Sequence, residues 1–572
     1  MQLRTWSHKE REERVPGQRR TVGVVIDSLV QSGYTRILFE SIVRTAQEQS
    51  IDLVAFIGGK LPSPLYDIVS RKNVDALILS SASLMHQVGS EGLAAFAARF
   101  DVPIVSVGFA LPGAASIVPD GVPGVTALVT HLLTEHGKRD VACIRGPGAD
   151  GRERFETFCR TLEEFGVPLR EELVVDGDYN EQSGADAIRT LCDVRKVKFN
   201  AVVAANDYMA LGAIAALEER DLAVPRDVAV VGFDDIEDAR HATVPLTSVR
   251  QPIRELGKRA VLSVVEQLTG HTEPEPVSVL CPPIKRRSCG CVVESPFTRR
   301  PASASKQFAD VESALLGRRD LVLADLSRTA QGELGMVAYE WEQTLFNAIQ
   351  EELRTPGVGK PFLTANEELA RRVFRAGGDV STWQRVLATL RHHVLECVGT
   401  NMALRSAAEN AFYDSLLLTT SVVGREEAQS RKHLERLVET AVKTGNRLMT
   451  SIEPEQLGRT LAEHLGSLGI PSFYIATYED DSRKRVRLLV GYDADLLVER
   501  SEDIVYDAEE IVPRGLLPRT RETAFTVTPL VHEGKALGFA VFEYRPKSGP
   551  LIHILGEQIA AALTAVALRS EK

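Results

Sequence analysis

From Thr21 to about Cys281 the chain repeats one pattern, a short apolar run followed by a longer amphipathic stretch. The runs are Val22–Asp27 (VGVVID), Asp52–Ile57 (DLVAFI), Asp75–Ser80 (DALILS), Pro103–Val107, Val141–Arg145, Ala201–Ala205 and Asp227–Gly232 (DVAVVG). Helical patterns lie between them at Thr35–Gln49, Gly124–His136, Arg152–Phe165, Glu181–Leu191 and Asp207–Glu219. Runs without polar alternation predict strands buried on both faces, and parallel neighbours need crossover helices, so the expected class is α/β. Roughly 260 residues exceed one comfortable sheet, which predicts two consecutive doubly wound lobes with a cleft between them. Ligands of such sheets lie beyond the carboxyl ends of the strands. The residues there are Asp27 and Ser28, Gly58 and Gly59, Ser80 and Ser81, Gly108 and Phe109, Gly146, Asn206 and Asp207, and Phe233 with Asp234 and Asp235. The set is rich in groups that hydrogen-bond to hydroxyls.

Composition excludes several classes. The 572 residues predict about three to five domains with ample core. No run approaches the roughly 18 apolar residues of a membrane span. Met1–Arg20 is polar throughout, without the apolar core of a secretory signal, so a cytoplasmic chain is expected. Seven cysteines, an odd number, fit reduced thiols there. A net charge of −11 argues against a chain whose main task is to hold phosphate backbones.

After KRRSCGC (Lys285–Cys291) the texture changes. The expected order is a flexible tail at 1–20, a ligand-binding module at 21–291, a linker at 292–307, a helical signalling segment at 308–450 and an α+β domain at 451–572. Leu434, Leu437, Ala441, Thr444 and Leu448 recur at three- and four-residue steps, as a coiled-coil seam would; a helix packed on its own domain explains them equally well. The last domain reads as a helix at Glu455–Leu468, strands at Phe473–Tyr478 and Arg487–Val490, a hairpin Ala524–His532 to Lys535–Tyr544 turned at Glu533–Gly534, and a closing helix Leu551–Ala567.

The first 290 residues resemble the effector-binding core of the lactose-repressor/galactose-repressor (LacI/GalR) family, which has the fold of a type I periplasmic binding protein. VGVVIDSL, VDALILSS, DGVPGVTALVTHLLTEHGKRDVACIRGP, ERFETF, GDYNEQSG, AVVAANDYMALGA, VPRDVAVVGFDD and PLTSVRQP carry the resemblance, in the family's order. It implies that Arg154 clamps effector hydroxyls or a carboxylate and that Asp234 accepts from sugar hydroxyls. Asn206 and Asp207 match the polar pair opening a helix, and Asp120 matches the aspartate before the lobe-crossing helix. Asp27, Ser80 and Gln251 fall where first-lobe and hinge contacts lie. Phe109, Tyr179 and Phe233 would supply the apolar face against a sugar ring or base. Each has a plainer alternative: Asp207 and Asp120 as helix caps, Arg154 as a salt bridge, Asp235 as a turn cap, Phe233 as core.

The family's helix-turn-helix takes about 50–60 residues, and only twenty precede the first strand here, so its DNA-reading role is not expected. Glu455–Lys572 resembles a GAF-type sensor, on the phrase TPLVHEGKALGFAVFEY between strands and helix. In similar signalling proteins such an array leads into a diguanylate cyclase or histidine kinase, but no GGDEF motif or kinase nucleotide box occurs.

Cys289-x-Cys291, with Cys281 eight residues earlier, invites a metal, yet zinc thiolates are usually spaced by two to four residues and need further ligands, so buried thiols with no metal are expected. His392, His393 and His433 lie on helical patterns, and His433 lacks the context of a phosphoacceptor. Gly58–Gly59 lacks the GxGxxG spacing, and no nucleophile elbow occurs. The expectation is a non-enzymatic ligand sensor without a cofactor. Its effector is a small polar, sugar-like molecule, and its output passes through helices to the GAF-like domain. A homodimer and a signalling or transcriptional partner protein are expected, without a membrane or direct nucleic acid contact. Two alternatives stand beside it: a LacI-type transcriptional regulator, and the sensory part of a signalling enzyme.

Overall fold

The computed structural model describes residues 19–30, 33–270, 275–291, 311–330, 340–356, 360–375, 378, 380–450, 458, 460, 461, 463, 465, 469–493, 496–498, 504–513, 516, 523–545 and 548–570. The tail through residue 18, the linker at 292–307 and most of Glu455–Leu468 lie outside them. Two compact units result, one of residues 1–291 with 437–572 and one of residues 292–436. Among the described residues no helix is long and apolar enough to cross a membrane.

In the first unit β1 (Thr21–Ile26), β2 (Asp52–Ile57), β3 (Ala76–Leu79), β4 (Ile104–Val107) and β5 (Ala115–Asp120) alternate with α1 (Gly33–Glu48) and α2 (Ser81–Ala97). After α3 (Val122–Thr134) the chain builds β6 (Val141–Arg145), α4 (Gly148–Glu164), β7 (Val174–Asp176), α5 (Glu181–Arg189), β8 (Ala201–Ala204), α6 (Asp207–Glu218), β9 (Ala229–Asp234), α7 (Glu237–His241) and β10 (Thr247–Arg250). It then returns through α8 (Ile253–Leu268) to β11 (Val277–Leu280) and β12 (Pro283–Ile284). The first-lobe sheet has the parallel order β11-β5-β4-β3-β1-β2, and the second β12-β10-β9-β8-β6-β7, antiparallel only at β12. Two doubly wound lobes are therefore present, and three chain crossings join them.

The last expected sensor run is displaced: Asp227–Gly232 was read as the strand, and β9 is Ala229–Asp234. The Asp227 side chain instead closes the preceding turn, accepting from the Ala223 amide at 2.8 Å. The shift carries Phe233 and Asp234 into the strand's end.

The second unit holds α9 (Val311–Leu316), α10 (Arg319–Thr329), α11 (Trp341–Arg354), α12 (Pro361–Arg375), α13 (Val380–Val398) and α14 (Met402–Thr450) as far as Arg436. Its apolar core surrounds Trp383, whose indole N–H donates to Asn366 Oδ1 at 2.9 Å, while the Asn366 amide donates to the Ser415 carbonyl at 3.0 Å. A buried amide satisfied on both sides fixes the register of α12 against α13 and α14.

Beyond Leu437 the chain rejoins the first unit. Leu437, Ala441 and Leu448 pack into the core shared with the first lobe and C-terminal strands, and Thr444 is fully buried. The seam from Leu437 to Leu448 is thus spent inside the chain, as the packed-helix alternative has it, and supplies no coiled-coil surface; Leu434 alone of the five stays exposed.

The C-terminal strands are β13 (Ser472–Tyr478), β14 (Arg485–Asp493), β15 (Leu496–Val498), β16 (Val505–Asp507), β17 (Ala524–His532) and β18 (Lys535–Glu543), followed by α15 (Gly549–Ser570). Glu533 and Gly534 both take positive φ, 48° and 80°, as a two-residue hairpin turn requires. The first three pairs of this sheet are antiparallel, yet its outer strand β17 runs parallel to β2, with Ala524 opposite Leu53 and Val527 opposite Phe56. The first-lobe and C-terminal sheets are therefore one twelve-stranded sheet. Asp52 reinforces the joint by accepting from the Thr523 amide at 2.9 Å, and Phe39 meets Tyr544 edge to face at 4.8 Å between ring centroids.

Candidate functional site

The second lobe contributes the charged side of the site. Arg154 projects from α4, donates to the Ala205 carbonyl at 2.6 Å and lies 3.6 Å from the centroid of the Phe233 ring. A guanidinium over an aromatic face is held in place while part of its donor fork stays available. Asp234, with a positive φ of 109°, accepts from Gln251 Nε2 at 2.6 Å. Burial raises the pKa of Asp234, and Arg154 and Gln251 oppose that rise. Tyr179 donates its hydroxyl to the Pro147 carbonyl at 3.0 Å; burial pushes its pKa up to about 12.

The first lobe contributes neutral donors and one carboxylate. The buried Ser80 hydroxyl pairs with Ser83 Oγ at 3.1 Å. Asp27 Oδ1 is buried and has no hydrogen-bond partner among the described residues. An acceptor oxygen in that state is costly unless a donor reaches it. Phe109 is half-buried against the first-lobe core, and its carbonyl accepts from Ser106.

Two side chains not singled out from the sequence bring the lobes together. Tyr34, in the first turn of α1, has its pKa raised by burial and then by Asp150 and Asp234 of the other lobe. Within the first lobe Gly108 leaves room for the Tyr34 hydroxyl, since a Cβ there would stand 2.9 Å from it. His86 on α2 meets Tyr179 edge to face across the lobes, 6.2 Å between centroids. Tyr34 opens α1 and His86 lies more than a turn into α2, both beyond the strand ends where the sequence rule looks.

Asp207, Asn206 and Phe233 also serve the fold itself. Asp207 is fully buried, with Ser248 Oγ donating to one oxygen at 2.6 Å and the Ile236 amide to the other at 2.9 Å; it ties α6 to β10 and to the turn after β9. Asn206 caps α6, accepting from the Met209 amide at 3.0 Å while its own amide holds the Tyr179 carbonyl at 3.1 Å. Phe233 is 3% exposed and is the platform for Arg154, leaving little ring face for a ligand. Asp120 is half-buried and accepts from the Val122 amide at 3.2 Å, just ahead of Gly121, where α3 starts. Asp235 faces neither ligand nor turn: Arg240, Arg250 and Arg286 surround it. Burial alone would raise its pKa, but the three guanidiniums hold it below the ordinary value.

A void of about 20 Å³ lies under Arg154 and Phe233, bounded by Val125, Phe158, Val203 and Val249. It sits within the second lobe's own core rather than between lobes and has room for about one water molecule. The thiols of Cys289 and Cys291 stand beside His131 and His136, a group that could hold a metal ion.

Residues 130–289 match the family described as a periplasmic binding protein-like domain. The HTH-type transcriptional repressor PurR of Yersinia pestis (strain Pestoides F) is 35% identical over 173 residues, which are 30% of this chain and 50% of the repressor. The chain thus spans about half the length of the curated relatives it matches. Among solved structures, a LacI transcriptional regulator from a Rhodococcus species is 28% identical with a TM-score of 0.41, covering 47% of this chain and 98% of that one. The Escherichia coli transcriptional repressor AscG is 26% identical with a TM-score of 0.40, covering 47% and 98%. The module is LacI/GalR-like and periplasmic-binding-protein-like in sequence, and the relatives named above carry the names of transcriptional regulators.

Proposed function

We propose that this chain is a non-enzymatic sensor in which a small polar, sugar-like effector binds between the lobes and favours their closure. The observation that carries the reading is the pairing of unlike walls: Arg154 and Asp234 on one lobe, and the unpartnered buried oxygen of Asp27 on the other. An effector with several hydroxyls satisfies Asp27 and Asp234 as donor and Arg154 as acceptor. Ser80, Tyr179 and Gln251 complete the polar contacts, and Phe109 offers an apolar edge. Asp120 stays in the proposal as a cap at the crossing between lobes. Closure requires that the effector bind the closed state better than the open one, which contacts from both lobes supply.

The output is read as passing to a GAF-like domain near 451–572. The support is the β2–β17 pairing, which gives a route from first lobe to C-terminal sheet without the linker at 292–307 or the helical segment. A homodimer, and a signalling or transcriptional partner in the cytoplasm, remain part of the proposal. Calorimetry or thermal shift with sugars, nucleosides and amino acids tests the reading. A binder that protects wild type but not Arg154→Ala or Asp234→Ala supports it, and a binder equally tight to both variants removes the site.

A second reading, a transcriptional regulator acting on DNA directly or through a partner, is favoured by the match to HTH-type repressors. A gel shift at two salt concentrations separates the two, because phosphate contacts make affinity fall steeply with salt.

A further inference from the structure

The turn from Arg287 to Cys291 closes the sensor module, and it brings two thiols to two imidazoles from a distant part of the chain. His131 stands in the last turn of α3, His136 follows that helix, and the ligand atoms of His131, His136, Cys289 and Cys291 all lie within 4.8 Å of one another. His131 Nε2 is 3.1 Å from His136 Nε2, 3.1 Å from Cys291 Sγ and 3.6 Å from Cys289 Sγ, and Cys291 Sγ is 3.6 Å from His136 Nε2. A tetrahedral zinc ion with bonds of about 2.3 Å to sulfur and about 2.0–2.1 Å to nitrogen would set its ligands about 3.3 Å apart for two nitrogens and about 3.6 Å for nitrogen and sulfur. Three of these four edges lie within about 0.2 Å of those values, and the fourth, His131 to Cys291 at 3.1 Å, is about half an ångström short.

The surrounding backbone is built for the cluster. Gly290 has φ 106°, and a Cβ there would stand 3.1 Å from the His136 ring, so glycine between the cysteines serves both the turn and the imidazole's approach. Ser288 pins the turn to the second-lobe sheet, donating to the Val230 carbonyl at 2.6 Å and accepting from the Thr247 amide at 2.8 Å.

We propose that His131, His136, Cys289 and Cys291 hold one structural zinc ion that fastens the end of the sensor module to α3. Two thiolates and two imidazoles in a closed tetrahedron suit zinc and leave no position for substrate. The ligands come from segments up to 160 residues apart, so the ion closes a long loop and should stabilise the second lobe.

The test uses the full chain, purified under reducing conditions and incubated with zinc or with cobalt(II) as a spectroscopic probe. About one zinc per chain is expected, and the cobalt form should show intense tetrahedral d–d bands with thiolate charge-transfer absorption. Cys291→Ser and His136→Gln, at half-buried positions, should each lower metal affinity at least about tenfold. A chelator should lower the melting temperature of wild type but not of His136→Gln. A reduced, folded wild type that takes up no zinc overturns the proposal, as does a cobalt adduct without thiolate charge transfer. Unchanged affinity in both variants overturns it equally. Should either variant fail to fold, the wild-type cobalt spectrum alone decides.

Discussion

The two lobes of the sensor share a fold and differ in what their edges do. The first lobe ends at β2, which accepts β17 and continues into the C-terminal sheet; the second ends at the three-residue β7, and its far side receives the Arg287–Cys291 turn. Their walls differ as well. Arg154, Asp234 and the Asp235 arginine cluster stand on the second lobe, and Ser80, Tyr34 and Asp27 on the first. One topology carries a lobe whose wall is charged and a lobe joined by strand pairing to the rest of its unit. Closure would then move the charged lobe against a plate that includes the C-terminal strands.

The sharpest way to break this contrast is Asp235→Ala, which leaves Arg240, Arg250 and Arg286 around an empty carboxylate position. The expected loss is about 3–5 kcal/mol, read as a lower urea midpoint for the sensor. Next comes effector binding: Arg154→Ala should weaken it roughly ten- to a hundredfold, and Ser80→Ala only about two- to tenfold, in calorimetry with the same binder. Equal losses would mean that the two walls grip alike.

The second lobe should also respond to pH in two directions. The folded pKa of Asp235 is lowered, so its stabilisation is complete above the ordinary carboxylate pKa of about 4 and is lost as pH falls through the folded value. Asp207 is raised by burial, so its contribution is complete below that ordinary value and is lost as pH rises through the folded one. Urea midpoints against pH should lose their acid limb in Asp235→Asn. In Asp207→Asn the difference from wild type should shift in the variant's favour as pH rises. A smaller effect belongs to the sheet joint: Asp52→Ala should speed amide exchange at Leu53 and Thr523 about fivefold to tenfold. Lys72→Ala, at an exposed pair with Asp507 and Glu509, should leave exchange and midpoint unchanged.

The apolar runs made the core strands β1–β4, β6, β8 and β9 legible, because strands buried on both faces exclude polar residues. Thr247–Arg250 and Val277–Leu280 escaped that rule: β10 is short and carries Thr247 and Ser248, which bond within the fold, and β11 is an edge with Leu280 exposed. In the candidate site the resemblance singled out Arg154, Asp234 and Gln251, and the structure pairs Asp234 with Gln251 and lays Arg154 over Phe233. At Asp207 and Asn206 ligand contact and local bonding were not separable in the sequence, because a polar residue opening a helix looks the same whether it faces ligand or its own backbone. The histidines beside Cys289 and Cys291 were out of reach, since residue spacing reveals only ligands close in sequence. The β2–β17 pairing was invisible for the same reason, with Asp52 and Thr523 471 residues apart.

That pairing bears on how the sensor can be handled. A fragment ending at Cys291 would strip β17 from β2 and leave Asp52–Ile57 as a bare rim of unanswered amides and carbonyls beside apolar Leu53, Ala55 and Phe56. Such a rim recruits whatever strand comes near, so the excised module should clump or pair with itself where the whole chain does not.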